Sequence, residues 1–199
     1  MAVTLVIIKI DESFPFERYL HWLPPSSQQK INQYYFRVDK VRAFASELLK
    51  YYFLAGYLSI APQQIQIKYT ELGRPILGDG LPRVNFSIAH SGAYVVMACS
   101  KDEQVGVDIE HIDAKINPEE LAPTVFSESE RQLIGRNIDA FFMLWTKKEA
   151  LFKAHGTGFI NDYYMHTALT LEGVEVGDGY KMYSQKFADN YYLSLCLLK

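Results

Sequence analysis

Apolar positions along this chain change period several times, and the changes divide it into two halves of similar content. The apolar run Val3–Ile10 predicts an opening strand. Pro24-Pro25-Ser26 then leads into a helical region from about Ser27 to Gly56. Within it Ile31, Tyr34, Tyr35, Val38, Val41, Phe44, Ala45, Leu48 and Leu49 keep a rhythm of about 3.6 residues. Asp39 is expected to cap a second helical segment after a local break, since an Asp carboxylate accepts from free amides at a helix start. Strands are expected at Ile65–Tyr69, Val84–Ile88 and Tyr94–Ser100. The second half opens with a strand at Val105–Glu110 and continues through a polar connection, His111 to Ala122. Helices follow from Ser127 to Gly135 and over Ala140–Ala154, the latter closed by His155-Gly156-Thr157-Gly158, and then strands near Ala168–Leu171, Tyr180–Ser184 and Tyr191–Leu197. Strand, long helix and several strands, twice over, predict an α+β chain of two related subdomains, 1–102 and 103–199, divided at Lys101-Asp102-Glu103-Gln104.

Two of these elements carry chemistry. On the strand Val105–Glu110 side chains alternate, so Asp108 and Glu110 share one face and Ile109 takes the other. On the helix Glu149 and Lys153, four residues apart, also share a face. If that helix lies over that strand, three carboxylates and one ammonium meet at one point. Such carboxylates repel unless neutralised, and a hard divalent cation that completes its shell with water and substrate phosphate answers the need. The pattern points to metal-assisted phosphoryl transfer. Each piece alone has a bland alternative: Asp-x-Glu as a solvated edge, Glu149/Lys153 as a surface pair, Lys147-Lys148 as a solvated face. Phe141, Leu144, Trp145, Leu151 and Phe152 read as the helix's buried side, with Trp145 in the core.

Composition narrows the function classes. The formal net charge is −3, which argues against general attraction to nucleic acid or anionic membrane. The two cysteines, Cys99 and Cys196, sit in apolar runs and form neither a zinc site nor a disulfide framework, which fits a reducing cytosol. The N-terminal run lacks a basic leader and a cleavage site, so the chain is expected to be cytoplasmic and free of the membrane. A metal-dependent nuclease or nucleotidyl transferase is an alternative use of clustered carboxylates, without a long basic, aromatic-interleaved stretch to support it. A non-catalytic binding module is another, and it would have no need of Asp108, Glu110, Glu149 and Lys153 together.

Gly73-Arg74-Pro75, Asn85-Phe86-Ser87-Ile88-Ala89-His90-Ser91, Val105-Gly106-Val107-Asp108-Ile109-Glu110, Phe126-Ser127-x-x-Glu130 and Trp145-Thr146-Lys147-Lys148-Glu149-Ala150-x-x-Lys153 stand in the order and spacing that resembles the Sfp-type 4′-phosphopantetheinyl transferases. The resemblance implies a monomer of two α+β subdomains related by a pseudo-twofold, with coenzyme A in the cleft between them. It implies Mg2+ on Asp108, Glu110 and Glu149, with Glu149 also matching the residue proposed to take the acceptor serine's proton. Lys153 matches a lysine facing the phosphates. Arg74 and His90 match ligands of the coenzyme's 3′-phosphate, and Lys30 and Arg42 match further coenzyme contacts. The partner implied is an apo acyl or peptidyl carrier protein, docking along the segment from Lys115 to Arg131. Ala89 departs from the Ser of many relatives and Ala43 from the hydroxyl residue of some, which puts individual coenzyme contacts at risk rather than the reaction. Glu130 reads as half of a capping box with Ser127.

Overall fold

The computed structural model describes residues 2–156 and 169–198. In chain order the first half runs β1 (Val3–Lys9), α1 (Pro25–Gln33), α2 (Arg37–Leu48), α3 (Leu54–Leu58), β2 (Ile67–Tyr69), β3 (Pro75–Leu77), β4 (Asn85–Ser91) and β5 (Tyr94–Ser100). The second half runs β6 (Gln104–His111), α4 (Pro118–Val125), α5 (Glu128–Ile134), α6 (Ile138–His155), β7 (Val174–Gly177), β8 (Tyr180–Phe187) and β9 (Tyr191–Leu198). The chain is α+β, as the periodicity predicts. Both main sheets are antiparallel and connected alike. Strand, helical segment, strand, strand assemble in the order β1-β5-β4 in one half and β6-β9-β8 in the other, where β7 extends the edge. The hairpin β2–β3 is an insertion in the first half; α4 and α5 are insertions in the second.

The halves stack in four layers. One face of the first sheet, with Phe86, Val95, Met97 and Cys99, packs under Ala45, Leu49, Leu54 and Ala55 of the helical segment. Its other face, through Ala89, Val96 and Ala98, packs on Val105, Val107, Ile109, Leu193 and Leu197 of the second sheet. The far face of that sheet, through Met182, Tyr192 and Cys196, covers Leu144, Ala150, Leu151 and Ala154 of α6. The edge strands β4 and β6 meet through serine hydroxyls: the Val107 amide donates to Ser87 Oγ at 3.1 Å and the His111 amide to Ser91 Oγ at 3.0 Å. Among the described residues no helix is long and apolar enough to cross a membrane.

Several expectations are corrected. The helical region breaks at Tyr34, which is extended, and Phe36 rather than Asp39 stands at the cap of α2. Asp39 lies in the first turn and pairs with Arg42 at 2.6 Å instead. The polar connection holds α4, begun by Asn117 accepting from the Glu119 amide and by Pro118 at the first turn, where a missing N–H costs nothing. Of the strand expected at Ala168–Leu171, Ala168 lies outside the described residues and the other three positions are not strand.

Gly106 sets how close α6 comes to β6. A Cβ there would stand 1.9 Å from the Ala150 carbonyl oxygen and 2.4 Å from the Ala154 amide nitrogen. Both are backbone atoms of α6, so no rotamer change relieves the clash. Gly106→Ala is therefore expected to destabilise the fold by about 3 kcal/mol, the upper range for overpacking, as read from urea unfolding. Gly56→Ala is the control: a Cβ there meets nothing within 4 Å, and Ala in a helix is favoured over Gly by up to about 1 kcal/mol. Equal stability of the Gly106→Ala variant and the parent would show that α6 does not rest on this contact.

Candidate active site

α6 begins at Asn137, whose side chain accepts from the Ala140 amide at 3.2 Å, and ends where Gly156 turns left-handed at φ 75°. Phe141, Leu144, Leu151 and Phe152 are buried, and Trp145 stacks on Phe141 in the core, as expected. With its backbone against Gly106, α6 presents Glu149 and Lys153 beside the face of β6 that carries Asp108 and Glu110. Lys153 Nζ donates to Asp108 Oδ1 at 2.6 Å. Asp108 is 3 % exposed, and its Oδ2 accepts no hydrogen bond among the described residues. Glu110 is oriented by Ser91, whose hydroxyl donates to its Oε2 at 2.8 Å.

One ammonium cannot neutralise three carboxylates, and the proton affinities show it. Burial pushes Asp108 up to about 7 against the pull of Lys153, with Glu110 and Glu149 adding to the rise. Burial also raises Glu149, opposed by Lys153 and helped by Glu110. Burial acts to lower Lys153, but Asp108 and the two glutamates outweigh it and hold the ammonium protonated. Among the described residues no three His, Cys, Asp or Glu side chains are drawn together closely enough to hold a metal ion, and Lys153 takes one oxygen of Asp108. The unpartnered Oδ2, buried beside two further carboxylates that border the same cavity, is nonetheless the oxygen donor set a hard divalent cation fits.

That cavity, about 420 Å3, is walled by Asp108, Glu110, Glu149 and Lys153 from the second half and by Lys30, Ala43, Lys50, Tyr69, Ala89 and His90 from the first. His90 keeps an open edge, yet the protein packed around it, and then the charge of Arg42, lower its pKa, which favours the neutral ring. Lys30 has a half-exposed side chain 4.0 Å from Glu47. Arg74 borders an adjoining cavity of about 310 Å3 that shares Glu149 and Lys153. Its place comes from the β2–β3 hairpin, where Gly73 at φ 78° closes the turn, and its guanidinium donates to the Ala154 carbonyl at 3.2 Å near the C-terminal end of α6. Arg42 does not border either cavity. Its Nε and Nη2 donate to the Gly92 carbonyl at 3.1 and 2.8 Å and its Nη1 pairs with Asp39, so it straps α2 to the β4–β5 turn.

The lysine pair on α6 is not a solvated face. Lys147 is fully buried and donates to the carbonyls of Thr170 and Glu172, each at 2.7 Å, and to Glu175 at 3.1 Å. Lys148, also fully buried, pairs at 3.0 Å with Glu130. Glu130 completes the capping box with Ser127 and accepts the Leu169 amide, a structural role as expected. Ser91, Glu47, Lys50 and Tyr69 escaped the sequence reading. Ser87, Ala89 and Ser91 alternate onto one face of β4, which marks the serines, whereas Glu47 and Lys50 read as an ordinary polar helix face until packing closes over them.

Comparisons with known proteins identify the family of the chain. The family described as 4′-phosphopantetheinyl transferase, N-terminal, matches residues 12–102, and the 4′-phosphopantetheinyl transferase superfamily matches residues 104–178. The L-aminoadipate-semialdehyde dehydrogenase-phosphopantetheinyl transferase of Schizosaccharomyces pombe is 32 % identical over 177 residues, covering 77 % of this chain and 68 % of that protein. The 4′-phosphopantetheinyl transferase HetI of a Nostoc species is 32 % identical over 148 residues, covering 71 % and 62 %. The 4′-phosphopantetheinyl transferase Sfp of Bacillus subtilis is 30 % identical over 148 residues, covering 71 % and 64 %. The aligned part of this chain thus spans 62 to 68 % of the length of these relatives. The chain belongs to the 4′-phosphopantetheinyl transferase superfamily.

Proposed function

We propose that this protein transfers the 4′-phosphopantetheine group of coenzyme A to a serine of an apo acyl or peptidyl carrier protein, in a Mg2+-dependent reaction that releases 3′,5′-ADP. The observation that carries the reading is the convergence of Asp108, Glu110, Glu149 and Lys153 on a cleft whose other wall is cationic. Asp108, Glu110 and Glu149 are the residues that would hold Mg2+. Bound there, the ion supplies charge screening and alignment for a pyrophosphate. The carrier serine's oxygen forms the new bond to the β-phosphorus as the bond from that phosphorus to 3′,5′-ADP breaks. Glu149, which borders the cavity, takes the serine proton directly or through one water. Lys153, held protonated, stabilises the charge that develops on the departing phosphate. Leu121 of α4 and Leu133 of α5 are exposed beside a partly exposed Arg131, which supports carrier docking on that surface.

The reading is tested by intact mass of apo carrier proteins incubated with the protein, coenzyme A and Mg2+. A phosphopantetheine mass gain is expected, abolished by EDTA and slowed about 10²- to 10⁴-fold by Glu149→Gln. A gain that survives both would remove the metal and the base from the reaction.

Asp108 yields a second expectation. Its pKa lies at about 7 in the folded protein against an ordinary 3.8, so between those values the native state binds more protons than the unfolded chain. Stability of the metal-free protein must then fall as pH rises through that window. Mg2+ binds the deprotonated form, so the rise in melting temperature it brings should grow from pH 5 to about pH 8. Asp108→Asn should flatten both trends; a Mg2+ effect of constant size across this range would refute the assignment.

A further inference from the structure

Asp108 is fixed by burial and by Lys153, whereas Glu110 lies partly exposed near the end of β6. Its aim rests on a hydroxyl from the other half of the chain. Ser91 has one hydroxyl proton, which it gives to Glu110 Oε2 at 2.8 Å, and its Oγ accepts the His111 amide at 3.0 Å. Ser91 is the last residue of β4, and Gly92-Ala93 turn the chain into β5. Whatever fixes that turn therefore fixes the hydroxyl.

The turn is held from both halves. Arg42 donates twice to the Gly92 carbonyl, and the Ile10 amide donates to the Ala93 carbonyl at 2.8 Å. Those contacts lie within the first half. From the second half comes the Tyr191 hydroxyl, which accepts the Ala93 amide at 3.0 Å. It fits because residue 92 is glycine: a Cβ there would overlap the Tyr191 hydroxyl, and φ 52° favours glycine as well. The Tyr191 ring is gripped in turn. Tyr94 and His111 each stand edge-on to it at 4.9 Å between centroids, and Phe187 stands edge-on to Tyr94 at 5.1 Å. Just ahead of Tyr191, Ala188 and Asp189 both take left-handed backbone, at φ 41° and 30°. The Asn190 carbonyl accepts the Ile112 amide at 2.8 Å, which ties that strained hairpin to the chain just beyond Glu110. Strain at two residues other than glycine persists where the surroundings over-determine the conformation, and it clusters at functional sites.

We infer that Tyr191 is a positioning residue for the candidate metal site. By pinning the Ser91–Ala93 turn against the second half, it keeps the Ser91 hydroxyl on Glu110 and the Glu110 carboxylate in the cavity with Asp108 and Glu149. Tyr191 borders neither cavity, so it acts through Ser91 and touches no reacting group. The inference rests on the transferase reading and deepens it: a carboxylate free to swing away would chelate more weakly, and partners that orient metal ligands tune affinity in this way.

The test measures Mg2+ binding by titration calorimetry in the presence of coenzyme A, on variants whose fold is checked by circular dichroism. Ser91→Ala should weaken Mg2+ binding by about 10- to 100-fold, the usual effect of removing such a partner. Tyr191→Phe should weaken it by about tenfold, at the low end of that range. Phe187→Leu keeps apolar bulk but loses the ring against Tyr94, and should cost about threefold. Tyr52→Phe is the control, since its hydroxyl bonds the Trp22 carbonyl far from the turn, and it should bind Mg2+ as the parent does. If Tyr191 works through Ser91, the Ser91→Ala/Tyr191→Phe protein is no weaker than Ser91→Ala alone. In carrier modification, Tyr191→Phe should raise the Mg2+ concentration for half-maximal rate and leave the rate at saturating Mg2+ unchanged. Parental Mg2+ affinity in folded Tyr191→Phe and Phe187→Leu proteins would overturn the inference. So would losses from Ser91→Ala and Tyr191→Phe that simply multiply. In either case Mg2+ binding by the parent leaves the transferase reading standing. A parent that binds no Mg2+ with coenzyme A present would sink that reading, and this inference with it.

Discussion

The site depends on the absence of a side chain. Where Gly106 lies, β6 and α6 touch backbone to backbone, with room for a hydrogen and nothing more. Every side chain projecting from the two elements on either side of that contact is brought nearer by its full depth. Lys153 therefore reaches Asp108 at 2.6 Å, and Glu149 joins the same cavity. A strand and a helix packed at ordinary distance would leave these groups separated by water, where charges a few ångströms apart matter little. Here they are half or wholly buried, and their proton affinities move together as a consequence.

The cleft that results has two electrical poles. Three carboxylates against one ammonium make one end acidic; two lysines against Glu47 make the other basic. Each pole is built by one half of the chain, and the poles share a wall because β4 and β6 are tied by Ser87 and Ser91. Ser91 works on both sides of that joint: it accepts the His111 amide and donates to Glu110, so the contact that joins the sheets also aims a site carboxylate.

Much of the fold was readable from periodicity because most elements bury one continuous face. β1, β5, β6, β9 and α6 appear within one or two residues of their expected ends. What escaped lacks that signature. β3 is three residues long and opens with a proline. α4 carries Pro123 in its interior and leaves Leu121 in solvent, so its apolar face is thin. The Lys147-Lys148 pair looked solvated because lysine heads normally are. It is buried because Glu130, Glu175 and two backbone carbonyls from elsewhere in the chain supply acceptors no local pattern reveals. Arg42 and Arg74 were found as residues but not as contacts: one straps a turn and the other meets the last turn of α6.

By itself the sequence determined which side chains travel together: Asp108 with Glu110, two apart on a strand, and Glu149 with Lys153, four apart on a helix. Those pairings follow from backbone geometry, which is local. Only the tertiary structure decided that the two pairs meet across Gly106, and that Glu47, Lys50 and Tyr69 close the other end of the same cleft. Partners of that kind are chosen by how layers stack and how much space a missing Cβ leaves, and both are properties of residues far apart in the chain.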